Sequence, residues 1–192
     1  MNRRLYFVGV GILVLLITVA AVVYTTSKPS FRGSVITPPW SAPDIKLTDH
    51  NGHPFMLSSQ RGKVVLLFFG YTNCPDECPL TMAHLKLAME SLGKRSQDVQ
   101  VAMITTDPVR DTPQALKDFM AHFDPSFLGL TGSPGDLQRA WRDYGVSVEA
   151  GGESHSIFLY VIDPAGNVRE TFLPDAEPNQ IAADVGLLLK GK

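Results

Sequence analysis

The chain has 192 residues, 44% of them hydrophobic, a formal net charge of −2 and only two cysteines. Its first 28 residues carry three basic groups and no acidic one, which leaves −5 on the remainder; a mildly acidic domain without basic runs argues against nucleic acid as a partner. Two cysteines are too few for a disulfide scaffold, and they do not complete a zinc ribbon, which needs four ligands from paired motifs.

Taken in order, Leu5 to Val23 is apolar apart from Thr18, with Arg3 and Arg4 before it and Lys28 after it. Nineteen residues rising about 1.5 Å each span about 28 Å, close to the roughly 30 Å of a bilayer's hydrocarbon core. A cleaved signal peptide has a shorter apolar core, about 7–15 residues, and Thr18-Val19-Ala20 is a weak cleavage site. The stretch contains no cysteine to carry a lipid. Residues 1–28 are therefore predicted to be an uncleaved, single-pass anchor in the cytoplasmic (inner) membrane. The arginines stay inside and the rest of the chain lies on the periplasmic or extracytoplasmic side. Residues 29–43, rich in Pro, Ser, Thr and Gly, read as a linker. The remaining residues, 44–192, suffice for one domain with its own core.

Within that domain, Ile45–Thr48 and Phe55–Leu57 flank Asn51-Gly52, a strong hairpin signal, and His50 and His53 read as solvated turn residues. Val64–Phe69 is a continuous apolar run, as in a strand buried on both faces. A helix over about 79–92 follows, with Met82, Leu85, Met89 and Leu92 on its core stripe and His84 off it. Val99–Ile104 is the next strand. Thr112 caps a helix that starts at Pro113 and presents Leu116, Phe119, Met120 and Phe123 to the core, with His122 on the surface. Ser133 caps another, which turns Leu137, Ala140, Trp141 and Tyr144 inward and ends at Gly145. A glycine-containing loop then leads through Ser154-His155-Ser156 into a strand over 157–162. Asp163–Asn167 turns it into Val168–Phe172, and the last helix runs from about Pro178 to Leu189.

Both cysteines, Cys74 and Cys78, lie between the strand that ends at Phe69 and the helix near Pro79. A helix N-terminus favours negative charge and so favours thiolate, while Asp76 and Glu77 oppose it by like charge. Side chains four apart on a regular helix have Cβ atoms about 5–6 Å apart, whereas a disulfide wants about 3.5–4.5 Å. A disulfide thus requires the loop to leave helical geometry, which Pro75 allows. A metal bound by two sulfurs at roughly 2.3 Å each is less demanding. The motif serves either use.

Alternating strands and helices that end in a hairpin and a helix predict an α/β domain, with helices on both faces of a sheet and an antiparallel edge. With a dithiol after a central strand, this order resembles a thioredoxin-like fold carrying an added N-terminal hairpin and a helix inserted around residues 134–144. Three motifs narrow the resemblance: Phe69-Gly70-Tyr71-Thr72-Asn73-Cys74-Pro75-Asp76-Glu77-Cys78-Pro79, then Thr106-Asp107-Pro108-Val109-Arg110-Asp111-Thr112-Pro113, then His155 before Ile157–Gly166. In this order they resemble the Sco/SenC family of membrane-anchored copper chaperones that act in cytochrome c oxidase assembly.

The resemblance implies that Cys74, Cys78 and His155 bind copper, that Asp107 is an acidic residue near the site, and that Cys74 and Cys78 are redox-active. It also implies three partners: the oxidase's copper-site subunit, an upstream copper donor and a thiol reductant. The family often has Asp immediately before the histidine, where this chain has Ser154. Asp107 and Asp111 each carry a plainer reading as turn or cap residues. The main reading is a metallochaperone. The alternative is a thiol–disulfide oxidoreductase that keeps the oxidase's cysteines reduced, for which His155 is not needed. A peroxidase on the same fold would need a low-pKa cysteine beside an activating arginine, for which Arg110 is the candidate.

Overall fold

A computed structural model of the chain describes residues 3–26, 30–149 and 158–190. Two units are distinguished, residues 1–30 and residues 31–192. The first contains α1 (Arg3–Thr26), a helix of 24 residues. Side chains on α1 are described at residues 3, 7 and 9–19, all of them exposed. Among the described residues, no helix is long and apolar enough to cross a membrane.

The second unit runs β1 (Ser34–Ser41), β2 (Lys46–Asp49), β3 (Pro54–Met56), β4 (Val64–Gly70), α2 (Glu77–Leu92), β5 (Val99–Thr105), α3 (Pro113–Ala121), β6 (Leu128–Thr131), α4 (Pro134–Asp143), β7 (Leu159–Ile162), β8 (Asn167–Phe172) and α5 (Pro178–Lys190). Its strands form one sheet in the order β1-β8-β7-β4-β5-β6-β2-β3. Strands β4, β5 and β6 are parallel, and the pairs on either side are antiparallel.

Every residue of β4 is buried, because alternate side chains enter two different cores. Val64, Leu66 and Phe68 join α2, α3 and α5 on one face. Val65, Leu67 and Phe69 join Leu137 and Ala140 of α4 and Tyr144 at its C-terminal cap, with Leu47 and Phe55 of the hairpin, on the other. Helices thus cover both faces, as the alternation predicted. The hairpin forms where Asn51-Gly52 placed it, with Gly52 at φ 86°. The caps are also as expected: the Ala115 N–H donates to Thr112 Oγ1 at 3.1 Å, and the Asp136 N–H donates to Ser133 Oγ at 3.2 Å.

The differences from expectation have local causes. Residues 34–41 fall in the stretch expected to be a linker, yet they form β1 and pair antiparallel with β8. Pro38 and Pro39, which lack the N–H of a regular ladder, are accommodated because β1 is an edge strand whose register shifts between Val35 and Trp40. Strand β6 was not anticipated either. A Cβ at its Gly129 would lie 2.9 Å from Leu116 Cβ, so the glycine lets α3 pack onto the sheet. His84 is half-buried rather than solvated, and its Nδ1 donates to Ala176 O at 2.9 Å. His50 is also half-buried. The Gly129 N–H donates to its Nδ1 at 3.1 Å, and burial pushes its pKa down. His53 stays on the surface beside Asp49, as expected.

Candidate functional site

Strands β4 and β5 run in parallel, with Gly70 opposite Thr105, so the loops that leave them, 71–76 and 106–112, emerge side by side. Cys74 lies in the first loop and is half-exposed; Cys78 lies in the opening turn of α2 and is fully buried. Both are free thiols. The Cys78 N–H donates to Cys74 Sγ at 3.4 Å, and the Cys74 N–H donates to Tyr71 O at 3.3 Å. The two sulfurs thus belong to one small site, with one thiol facing solvent and the other facing the core.

That asymmetry corrects one expectation. A helix N-terminus favours thiolate, but burial pushes the Cys78 thiol well above the usual cysteine range, helped by the neighbouring Cys74 and Glu77. Here desolvation outweighs the dipole. Like-charge opposition from Glu77 is as the sequence suggested. Cys78 instead packs as an apolar side chain beside Tyr71 and Met82.

Gly70 makes this packing feasible. A Cβ at that position would lie 2.8 Å from Cys78 Sγ and 2.7 Å from the Phe68 ring. The Gly70→Ala variant is therefore expected to lose about 1–3 kcal/mol from overpacking and to expose Cys78. Urea unfolding together with thiol counting in the folded state checks this, and a variant of native stability with Cys78 still protected would contradict it.

Asp107 is buried and sits in the adjoining loop. Its carboxylate is engaged by Arg110, through the backbone N–H at 3.4 Å and through an Nε ion pair. The Arg110 guanidinium also lies 6.0 Å from the centre of the Tyr71 ring. Arg110 is therefore shared between a carboxylate and an aromatic face. Of the expected site residues, Cys74 and Cys78 meet through the Cys78 N–H, Asp107 lies in the adjoining loop, and His155 lies outside the described residues. Among the described residues, no group of three or more His, Cys, Asp or Glu is placed to hold a metal.

Asp111 does more than lead the chain into the helix cap. Its carboxylate is 1% exposed and accepts the Thr72 N–H at 3.1 and 3.3 Å, the Thr72 hydroxyl at 2.6 Å and the Thr105 hydroxyl at 2.6 Å. The loop of the second motif thus holds the loop of the first. The one signal available in the sequence was a threonine, Thr72, in the first motif and an aspartate, Asp111, in the second, with nothing to pair them.

The family described as SCO1/SenC matches residues 38–190. The chain is 35% identical over 147 residues to a SCO2-like protein of Rickettsia felis, a match covering 72% of each. Among solved structures it is similar to apo Sco1 from Thermus thermophilus, with 35% identity, a TM-score of 0.76 and coverage of 85% of this chain and 99% of that one. It is also similar to Bradyrhizobium japonicum ScoI with copper bound, with 31% identity, a TM-score of 0.72 and coverage of 78% and 99%.

Proposed function

The chain belongs to the SCO1/SenC family, and from that premise we propose that it is a membrane-anchored copper metallochaperone. It takes copper through Cys74, Cys78 and His155 and hands it to the copper-site subunit of cytochrome c oxidase during assembly. An upstream donor loads the metal and a thiol reductant keeps the pair reduced. The observation that carries the reading is the pair itself: two free cysteines in hydrogen-bond contact at one end of the sheet, one of them open to solvent. Two soft sulfurs suit Cu(I), and an added imidazole also suits Cu(II). The relative with copper bound supports the metal.

His155 is supported as third ligand by chain direction. Leu159, four residues after it, pairs with Phe68, two residues before Gly70, so β7 begins at the end of the sheet where the cysteine loop leaves. Three ligands are one short of a closed structural zinc site, and an open position lets a recipient's ligand enter before the donor's leave. A metal arriving at Cys78 displaces the proton that burial holds there, so loading and deprotonation are one event.

The anchor is read from the sequence, in which Leu5 to Val23 is apolar apart from Thr18, with Arg3 and Arg4 before it and Lys28 after it. It holds the domain on the extracytoplasmic side. Asp107, through Arg110, shapes the neighbouring loop.

The test is to purify the full chain in detergent, reduce it without oxygen and titrate it with Cu(I) and with Cu(II), beside His155→Ala. One tight equivalent is expected, with a thiolate-to-copper absorption band in the Cu(II) form that His155→Ala weakens. No tight copper, together with rapid exchange against a disulfide substrate, would move the assignment to a thiol–disulfide oxidoreductase.

A further inference from the structure

We propose that Asp111 is a positioning residue for the dithiol: its buried carboxylate fixes the Cys74 turn against the end of β5 and so sets where Cys74 stands relative to Cys78. The inference rests on reading Cys74 and Cys78 as the working pair, whether copper or a disulfide is the cargo.

The two cysteines are held differently. Cys78 belongs to α2 and to the core, so the helix fixes it. Cys74 precedes the helix, and its own N–H makes a long bond to Tyr71 O at 3.3 Å. Strong fastening of that turn lies at Thr72, two residues earlier. Both the N–H and the hydroxyl of Thr72 end on Asp111, and bonds to an ionised acceptor are roughly twice as strong as neutral ones.

The carboxylate is held in place on its other side. The Thr105 hydroxyl donates to Asp111 Oδ2 at 2.6 Å while its oxygen accepts the Asp107 N–H at 2.9 Å. The Thr105 carbonyl accepts the Trp141 indole N–H at 3.1 Å. A continuous line of bonds therefore runs from α4 through Thr105 and Asp111 to the turn that carries Cys74. Asparagine at 111 would keep an oxygen for Thr72 but present an NH₂ to Thr105, whose hydroxyl hydrogen then loses its acceptor. Alanine would lose both halves. The two substitutions thus predict a graded series.

The test uses the full chain in detergent. The reduced protein is equilibrated with glutathione buffers, in which Cys74 and Cys78 give up two protons and two electrons, forming the Sγ–Sγ bond. Glutathione disulfide takes up both and is cleaved to two thiols. Asp111→Ala frees the turn from the dithiol arrangement, so its equilibrium is expected to move about tenfold toward the disulfide, about 30 mV. Alkylation of Cys74 by iodoacetamide should quicken severalfold while Cys78 stays protected, and Cu(I) affinity should fall about tenfold. Asp111→Asn should lie between alanine and wild type in all three.

Wild-type values for Asp111→Ala, or identical losses in the Ala and Asn variants, would overturn the proposal. If the parent binds no copper but the equilibrium and the alkylation rate respond as stated, the copper assignment fails and the positioning role of Asp111 stands. If Asp111→Ala does not fold, Thr72→Val carries the test, since it removes one bond from a half-buried hydroxyl. A threefold shift in the same direction is expected, and an unshifted equilibrium with unshifted alkylation would overturn the proposal.

Discussion

Cys74→Ser and Cys78→Ser are each expected to abolish tight copper binding, but only the second should also weaken the fold. Replacing a thiolate by a hydroxyl would remove a soft ligand from the proposed set of three. The loss should exceed the roughly 10–100-fold that follows from removing an outer partner of a metal ligand. The two sites then diverge because their surroundings differ. Cys74 is half-exposed, so its serine hydroxyl meets water and stability should change by no more than about 0.5 kcal/mol. Cys78 has no exposed surface and belongs to the same buried cluster as Tyr71, Met82 and Met103. A serine there buries a hydroxyl among apolar groups, at a cost of about 1–3 kcal/mol if it finds no partner. Copper titration and urea unfolding of both variants check this. Equal stability in the two would show that Cys78 is not a core residue, and retained tight binding in either would remove that sulfur from the ligand set.

The parts of this molecule that the sequence made legible are those whose cause is local. Strand β4 was readable because a run from Val64 to Phe69 can be satisfied only by burial on both faces. The hairpin was readable from Asn51-Gly52 and the helix starts from Thr112-Pro113 and Ser133-Pro134. The cysteine loop was readable because nothing else between that strand and the next helix explains two thiols. What escaped depends on partners remote in sequence. Strand β1 was hidden by Pro38-Pro39, which a central strand would reject but this edge tolerates. Strand β6 was hidden by Gly129, whose missing side chain is answered by Leu116. His84 and His50 looked like surface polars, yet their partners lie 92 and 79 residues away. Asp111 fits a turn from its own neighbours, and only its 39-residue reach to Thr72 gives it a site role. At Cys78 the helix start favours thiolate while Asp76 and Glu77 oppose it, and burial, which the sequence does not show, decides against it. A local pattern does not report how much of a residue the rest of the chain will cover.

The same limitation hid a buried acid pair, and it leads to the second large expected effect. Folding stability should fall between pH 5 and pH 8 in wild type relative to Glu170→Gln. Glu170 on β8 and Asp184 on α5 have no exposed surface. Asp184 Oδ2 accepts the backbone N–H groups of Arg32 at 2.5 Å and Gly33 at 3.0 Å, which draws the entry to β1 onto α5. Both oxygens of Glu170 and the second oxygen of Asp184 have no hydrogen-bond partner among the described residues. Two neighbouring buried carboxylates cannot both ionise at low cost, and because Asp184 takes the two N–H donors, the proton belongs on Glu170. Burial, and then the charge of Asp184, push Glu170 from about 4.5 up to about 8. Arg169 offers little relief, since it is committed to Asp163 at 3.2 Å and to the ring of Phe31. The folded state therefore keeps a proton that the unfolded chain releases. The associated stability is complete below about pH 4.5 and is lost as pH rises through about 8. Glutamine is neutral throughout, and its amide can donate to the unpartnered Asp184 oxygen. The stability difference between Gln and Glu should thus widen by on the order of 3 kcal/mol from pH 5 to pH 8. Urea unfolding of the two proteins at both pH values measures it directly, and a difference that stays constant would mean that Glu170 is already ionised in the folded state.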